Sequence, residues 1–262
     1  MAPKKHLISE TNFDTPVGEP KRPLRPMLAE FSDKPFDKKN WLFEIKWDGY
    51  RAIAETYTTP PKLYSRNGLS FAPRFPVIIS DLEKIVPQCV LDGEIVVVDS
   101  RGKSDFALLQ NYHNNPESKL LYYVFDLLYL QNHDIRPLPL IKRKNLLKKL
   151  LPSLDHIRFC DHIYEHGKEF FNIAKVNNLE GIIGKDKNSP YLENTRSGYW
   201  LKIKVHCTQD VVVGGFTESA SSRTGFGALV CGIYENDNLV YTGNVGNGFT
   251  DNLLHETRHK LN

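Results

Sequence analysis

The chain has no apolar run long enough to cross a bilayer as a helix, which takes about 20 residues. Its first residues, Met1-Ala2-Pro3-Lys4-Lys5-His6, lack the apolar core of a secretory signal, so a cytoplasmic location is expected. Cysteine is scarce. Cys89, Cys160, Cys207 and Cys231 stand far apart and no two have metal-ligand spacing, which reads as free thiols in a reducing compartment. There is no internal repeat and no low-complexity tract, which argues against a solenoid or a disordered array. An excess of one charge is missing too. Lys+Arg number 34 against 31 Asp+Glu, a net +3, so any phosphate binding must rest on placed residues rather than on bulk charge. What remains is a globular composition, 40% hydrophobic and 25% charged. The length suits roughly two domains.

The stretch Trp41–Arg51 is the most informative. Residues 41–46 alternate, with Trp41, Phe43 and Ile45 on one face and Leu42, Glu44 and Lys46 on the other. Asp48-Gly49 reads as a tight turn from which Tyr50–Thr56 returns as a second strand. Lys46 then ends a rigid strand beside a bend, on the Glu44 face, where an amine in its free-base form is a nucleophile. A surface lysine before a hairpin turn has the same local pattern, so the rest of the chain must decide.

Lys62–Gly68 reads as a strand entering an Asn-Gly turn, with Arg66 at its end either forking onto an anion or lying in solvent. Phe75–Ile85 has helical spacing, and Cys89–Asp99 reads as a strand kinked at Gly93. Glu94 stands there among apolar residues and needs a metal, a ribose hydroxyl or an arginine as partner, whether for binding or as a structural salt bridge. Lys119–Leu130 reads as a buried central strand in which Phe125 either stacks on a flat base or is plain core. Pro139–Leu151 is an amphipathic helix that pairs Leu146, Leu147, Leu150 and Leu151 with Lys142, Arg143, Lys144, Lys148 and Lys149, a basic face that is either solvated or set against a nucleic-acid backbone.

A helix over Gly167–Asn177 leads to Glu180, an acid at an element boundary, and to a short strand ending at Lys185. Tyr199–Val205 alternates so that Trp200, Lys202 and Lys204 share a face. Two lysines there want an anion between them, which Arg196 would join, or solvent to screen them. Past Val205 the pattern gives three antiparallel strands and a helix over Thr250–Lys260, like the first part of an OB-type barrel, which normally has five strands. Residues 1–26, with Pro16, Pro20, Pro23 and Pro26, read as an extended lead-in rather than a core element.

In order along the chain, Lys46-Trp47-Asp48-Gly49, Ser65-Arg66-Asn67-Gly68, Asp92-Gly93-Glu94, the Phe125 strand, Glu180-Gly181-Ile182-Ile183 and Trp200-Leu201-Lys202-Ile203-Lys204 resemble the nucleotidyltransferase core of ATP-dependent DNA ligases. Arg25-Pro26-Met27-Leu28-Ala29 and the stretch Ser222–Leu229 resemble the ligase module of bacterial end-joining ligases in particular. The resemblance implies an α/β (α+β type) fold with mixed, largely antiparallel sheets. Residues 1–21 would be a lead-in, 22–205 the adenylation domain and 206–262 a partial OB-like domain that closes over the nucleotide. It implies ATP as cosubstrate, Mg²⁺ or Mn²⁺, and nicked or broken double-stranded DNA as partner. Repair is the expected setting, for a monomer that engages no membrane, with an end-binding protein and upstream repair domains as companions.

Carried over by position, Lys46 would form a lysyl–AMP. Glu44 and Phe125 would bind adenine, and Arg51 and Arg66 would contact ribose and phosphate. Glu94 would hold the ribose or a metal, Glu180 a metal, and Arg196, Lys202 and Lys204 phosphates. An RNA ligase, a capping guanylyltransferase or a catalytically impaired break-binding module are the alternatives. The family's barrel continues into a further basic motif that orients the outer phosphates of ATP. Its absence before Asn262 gives the expectation of an intact pocket that charges slowly.

Overall fold

The computed structural model describes residues 14–20, 23–205, 209–219 and 225–261. In chain order the first elements are β1 (Leu28–Phe31), β2 (Trp41–Ile45), β3 (Tyr50–Glu55), β4 (Lys62–Ser65), α1 (Pro76–Leu82), β5 (Cys89–Val98) and α2 (Phe106–Gln110). They are followed by β6 (Lys119–Leu130), β7 (His133–Asp134), α3 (Leu140–Leu150), β8 (Ile157–Phe159), β9 (Ile163–Tyr164), α4 (Gly167–Val176), β10 (Gly181–Asp186) and β11 (Arg196–Lys204). The chain divides after Val205 into two compact units.

Two sheets build the first unit. One has the order β1-β11-β10-β2-β9, parallel only at β1–β11. Its alternation puts Trp41, Phe43, Ile182 and Ile203 against Ala174, Phe170 and Phe171 of α4. The second has the order β4-β3-β5-β6-β7, with β8 parallel to β6. One face carries Ala52, Leu91, Ile95 and Val124 against Ile78 and Leu82 of α1 and Leu147 and Leu150 of α3. On the other, Ile53, Val90, Phe125 and Leu128 meet Trp200 of the first sheet. Strands β5 and β6 are covered on both faces, which is why they read as nearly continuous apolar runs. At Gly93 the β5–β6 ladder shifts register, the expected kink.

The turn expected at Asp48-Gly49 is not a hairpin. Strand β2 belongs to the first sheet, where β10 and β9 occupy its two edges, and β3 belongs to the second. The chain changes layers there. Glycine is needed for close approach, since a Cβ on Gly49 would lie 2.1 Å from the Ile95 carbonyl oxygen.

Two further expectations are corrected. Leu24, within the proposed lead-in, is buried between the sheets beside Met27, and Pro16–Gly18 runs along the β6–β7 turn. The α3 charges are not all solvated, because Arg143 and Lys144 are fully buried. Most of residues 1–21 lies outside the described residues, as do Cys207 and Ser222–Thr224.

The second unit holds β12 (Val212–Thr217), β13 (Ala228–Glu235), β14 (Asn238–Val245) and α5 (Asp251–Leu261). The three strands are antiparallel in chain order, and Leu229 and Cys231 pack on Phe226 and on Leu254 of α5. Among the described residues no helix is long and apolar enough to cross a membrane.

Candidate active site

A cavity of about 250 Å³ opens in the first unit, lined by residues from both sheets. Its walls include Glu44, Lys46, Arg51, Arg66, Glu94, Phe125, Arg196 and Lys202, residues nominated from the sequence. Glu180 and Lys204 stand beside Lys46 rather than in the wall. Pairing explains the convergence. Glu44, Ile183 and Lys202 lie directly opposite one another across β2, β10 and β11, so they share a face. Arg51 and Glu94 lie opposite each other across β3 and β5.

One side of the cavity rests on a buried charge cluster. Glu44, only 1% exposed, accepts from Lys144 Nζ on one carboxylate oxygen and from Lys185 Nζ on the other, each at 2.6 Å. Burial alone would raise the Glu44 carboxyl, but the two ammonium groups outweigh it and hold it below its ordinary range. Burial depresses the Lys185 ammonium, against the pull of Glu44. Lys185 also sits 4.2 Å from the Phe125 ring centre and 4.1 Å from that of Trp200.

Sequence reading missed both lysines. For Lys144 a signal existed: Leu140, Arg143, Lys144 and Leu147 fall at i, i+3, i+4 and i+7, one stripe of a helix. Arg143 on that stripe makes a two-pronged ion pair with Asp126, both contacts at 2.8 Å.

Phe125 presents its ring to the Arg51 guanidinium at 4.4 Å and has Trp200 edge-on at 6.1 Å. Arg51 is itself held by Asp92 through two contacts of 2.6 Å, and Asp92 also accepts from the Tyr191 hydroxyl at 2.7 Å. The Asp92 carboxylate more than offsets burial and raises the Arg51 guanidinium, which stays charged.

Glu94 is different. Among the described residues it has no hydrogen-bonding or ion-pairing partner, and burial pushes its carboxyl up to about 8 despite Arg51 and Lys46 nearby. A hard oxygen donor in that condition suits a divalent cation or a hydroxyl. No group of three or more His, Cys, Asp or Glu able to hold a metal occurs among the described residues.

Lys46 extends β2, its backbone N–H donating to Gly181 O at 2.9 Å, and its ammonium pairs with Glu180 Oε2. Glu180 Oε1 lies 3.3 Å from Lys204 Nζ. Burial and the Glu180 charge raise the Asp48 carboxyl. Burial and the neighbouring Arg196, Lys204 and Lys46 depress the Lys202 ammonium, the mark of cations gathered where an anion belongs. Next to the lysine, Trp47 lies flat on Tyr123 of the other sheet, ring centres 3.9 Å apart at 7°. The arrangement combines a lysine beside a carboxylate, a flat ring, an unpartnered acid and a cluster of cations. That is equipment for attack on a phosphorus atom bearing a planar leaving or carried group.

The family described as "ATP dependent DNA ligase domain" matches residues 26–204, and "ATP dependent DNA ligase C terminal region" matches residues 222–262. The chain is 35% identical over 245 residues to the multifunctional non-homologous end joining protein LigD of Pseudomonas aeruginosa. That match covers 91% of this chain but only 29% of LigD. It is 36% identical over 199 residues to the SPbeta prophage-derived DNA ligase-like protein LigB of Bacillus subtilis, covering 74% of this chain and 72% of LigB. Among solved structures, a mycobacterial DNA ligase D complexed with ATP and MES matches with a TM-score of 0.64 at 30% identity, over 91% of this chain and 77% of that one.

Proposed function

This chain belongs to the family of ATP-dependent DNA ligases, and from that membership we propose that it uses ATP to seal breaks bearing a 5′-phosphate and a 3′-hydroxyl in double-stranded DNA. The observation that carries the reading is Lys46, ion-paired to Glu180 at the edge of a cavity walled by Glu94, Phe125 and cations of both sheets.

Lys46 Nζ loses its proton, for which the Glu180 carboxylate is the adjacent acceptor, and attacks the α-phosphorus of ATP. The bond to the bridging oxygen breaks and pyrophosphate leaves. An oxygen of the DNA 5′-phosphate then attacks the same phosphorus and releases the lysine. Finally the 3′-hydroxyl attacks the DNA phosphorus and AMP departs. Arg66, Arg196, Lys202 and Lys204 neutralise phosphate charge through these steps, Glu44 and Phe125 take the adenine, and Arg51 stands toward the ribose. Glu94 would hold Mg²⁺ or Mn²⁺, joined by Glu180 once the proton taken from Lys46 has passed on to solvent, and the ion would supply further charge neutralisation.

The LigD resemblance supports a role in bacterial DNA repair, in the cytoplasm and alongside further repair domains or an end-binding protein. Intact-protein mass before and after incubation with ATP and Mg²⁺ tests the reading. One covalent AMP is expected on the parent chain and none on Lys46→Ala. Failure of the parent to take up AMP, with none bound at purification, overturns it.

A further inference from the structure

Lys144 does not touch the cavity, yet it holds two of the residues that do. Its side chain is fully buried on α3. Nζ donates to Glu44 Oε1 at 2.6 Å and to the Cys160 carbonyl at 2.9 Å, and lies 3.5 Å from the Phe125 carbonyl. Burying an ammonium is costly, and α3 already has an anchor in the Arg143–Asp126 pair and in Leu140, Leu147 and Leu150. The partners of Lys144 are what distinguish it. One is the carboxylate and another the backbone of the two side chains nominated to read the base.

We infer that Lys144 is a positioning residue for nucleobase recognition. With Lys185 it locks the Glu44 carboxylate as an ionised, acceptor-only edge, so that the cavity selects a purine with an amine at position 6 over one with a carbonyl there. The inference rests on the nucleotide reading of the cavity and adds how that cavity chooses its base. Each Glu44 oxygen is taken by one lysine, so the carboxylate cannot rotate away, and each keeps lone-pair capacity for a further donor. An amine satisfies that capacity. A carbonyl oxygen meets the carboxylate acceptor to acceptor and leaves it unpaired, the condition under which a polar site discriminates strongly. The Nζ contact toward the Phe125 carbonyl fixes the strand carrying the ring at the same time.

The test compares ATP with inosine triphosphate, which has a carbonyl in place of the amine at position 6 and a proton on N1, by following formation of the covalent lysine adduct by intact mass. The parent is expected to prefer ATP by a factor on the order of 100 or more. In Lys144→Met the KM for ATP is expected to rise about tenfold and the preference to fall at least tenfold, with a smaller change in the maximal rate. The double variant Glu44→Gln/Lys144→Met is expected to be little worse than Glu44→Gln alone, because the two residues act as one unit.

A Lys144→Met chain with the parent's KM and preference overturns the inference. Should that variant lack a cooperative melt, Lys144→Arg carries the same test, since it keeps the charge but shifts its point of contact. A partial rise in KM with partial loss of preference supports the inference, and unchanged values overturn it. A parent that charges with ATP beside an unaffected Lys144 variant defeats this inference alone. A parent that takes up no nucleotide defeats the underlying reading along with it.

Discussion

Glu180 and Lys46 form an ion pair in which one carboxylate oxygen takes the nucleophile's ammonium and the other faces Lys204 at 3.3 Å. An amine that keeps its proton for this pairing has no lone pair with which to attack. The group that holds its proton is also the one placed to receive it.

Glu180→Gln is therefore expected to slow adduct formation on Lys46 by about 100-fold, in line with a lost general base. ATP affinity, measured by calorimetry, is expected to change far less. If the variant charges at the parent rate, the proton has another destination and Glu180 only neutralises charge.

Glu94 gives the empty protein a pH dependence. Its carboxyl is raised from 4.5 to about 8, so between those values the folded chain holds a proton that the unfolded chain has released. Stability then falls as pH rises through that window, because the native state binds the extra proton. Glu94→Gln removes the penalty. Its gain in melting temperature over the parent is expected to be small near pH 5 and larger near pH 8, while adduct formation is lost. An equal gain at both pH values would count against a raised carboxyl.

The Arg143–Asp126 pair lies wholly out of water. Arg143→Met strands a buried carboxylate and is expected to cost about 3–5 kcal/mol in urea unfolding. Adding Asp126→Leu is expected to recover much of that loss, since the stranded charge is the source of the damage. A single variant within 1 kcal/mol of the parent would show that solvent or another group satisfies Asp126.

Gly49→Ala places a Cβ 2.1 Å from the Ile95 carbonyl oxygen, so the backbone next to Lys46 has to move. A destabilisation of about 1–3 kcal/mol is expected, together with slower adduct formation. Gly198→Ala, where a Cβ meets nothing within 4 Å, serves as the tolerated control. Equal behaviour of the two variants in thermal melts and charging assays would remove the close-approach argument.

Residues that share a strand face were legible from the sequence. Period-two alternation put Glu44 with Lys46, and Trp200 with Lys202 and Lys204, because the pleat alone decides that. What failed was non-local or masked by charge. Asp92 holds Arg51 from 41 residues away, and nothing near either residue signals it. Lys185 reaches Glu44 only because β10 lies between β2 and β11, a pairing order no local pattern encodes. Lys144 sat on a legible helical stripe but was assigned to solvent because lysine usually belongs there. Asp48-Gly49 is a turn dipeptide by composition, and only the occupied edges of β2 show that the chain must leave the sheet.

That departure from the sheet puts Lys46 at the seam between two layers. Glu44 and Lys185 come from one layer, Glu94 and Phe125 from the other. A nucleotide attached to Lys46 with its base among these groups would act as a rivet through both layers, fastening strands that belong to different sheets. Charging would then be a mechanical event as well as a chemical one. Amide hydrogens of β2 and β10 and those of β3 and β5 would exchange more slowly together once the lysine is loaded, and would loosen together when the adenylate moves on to its acceptor.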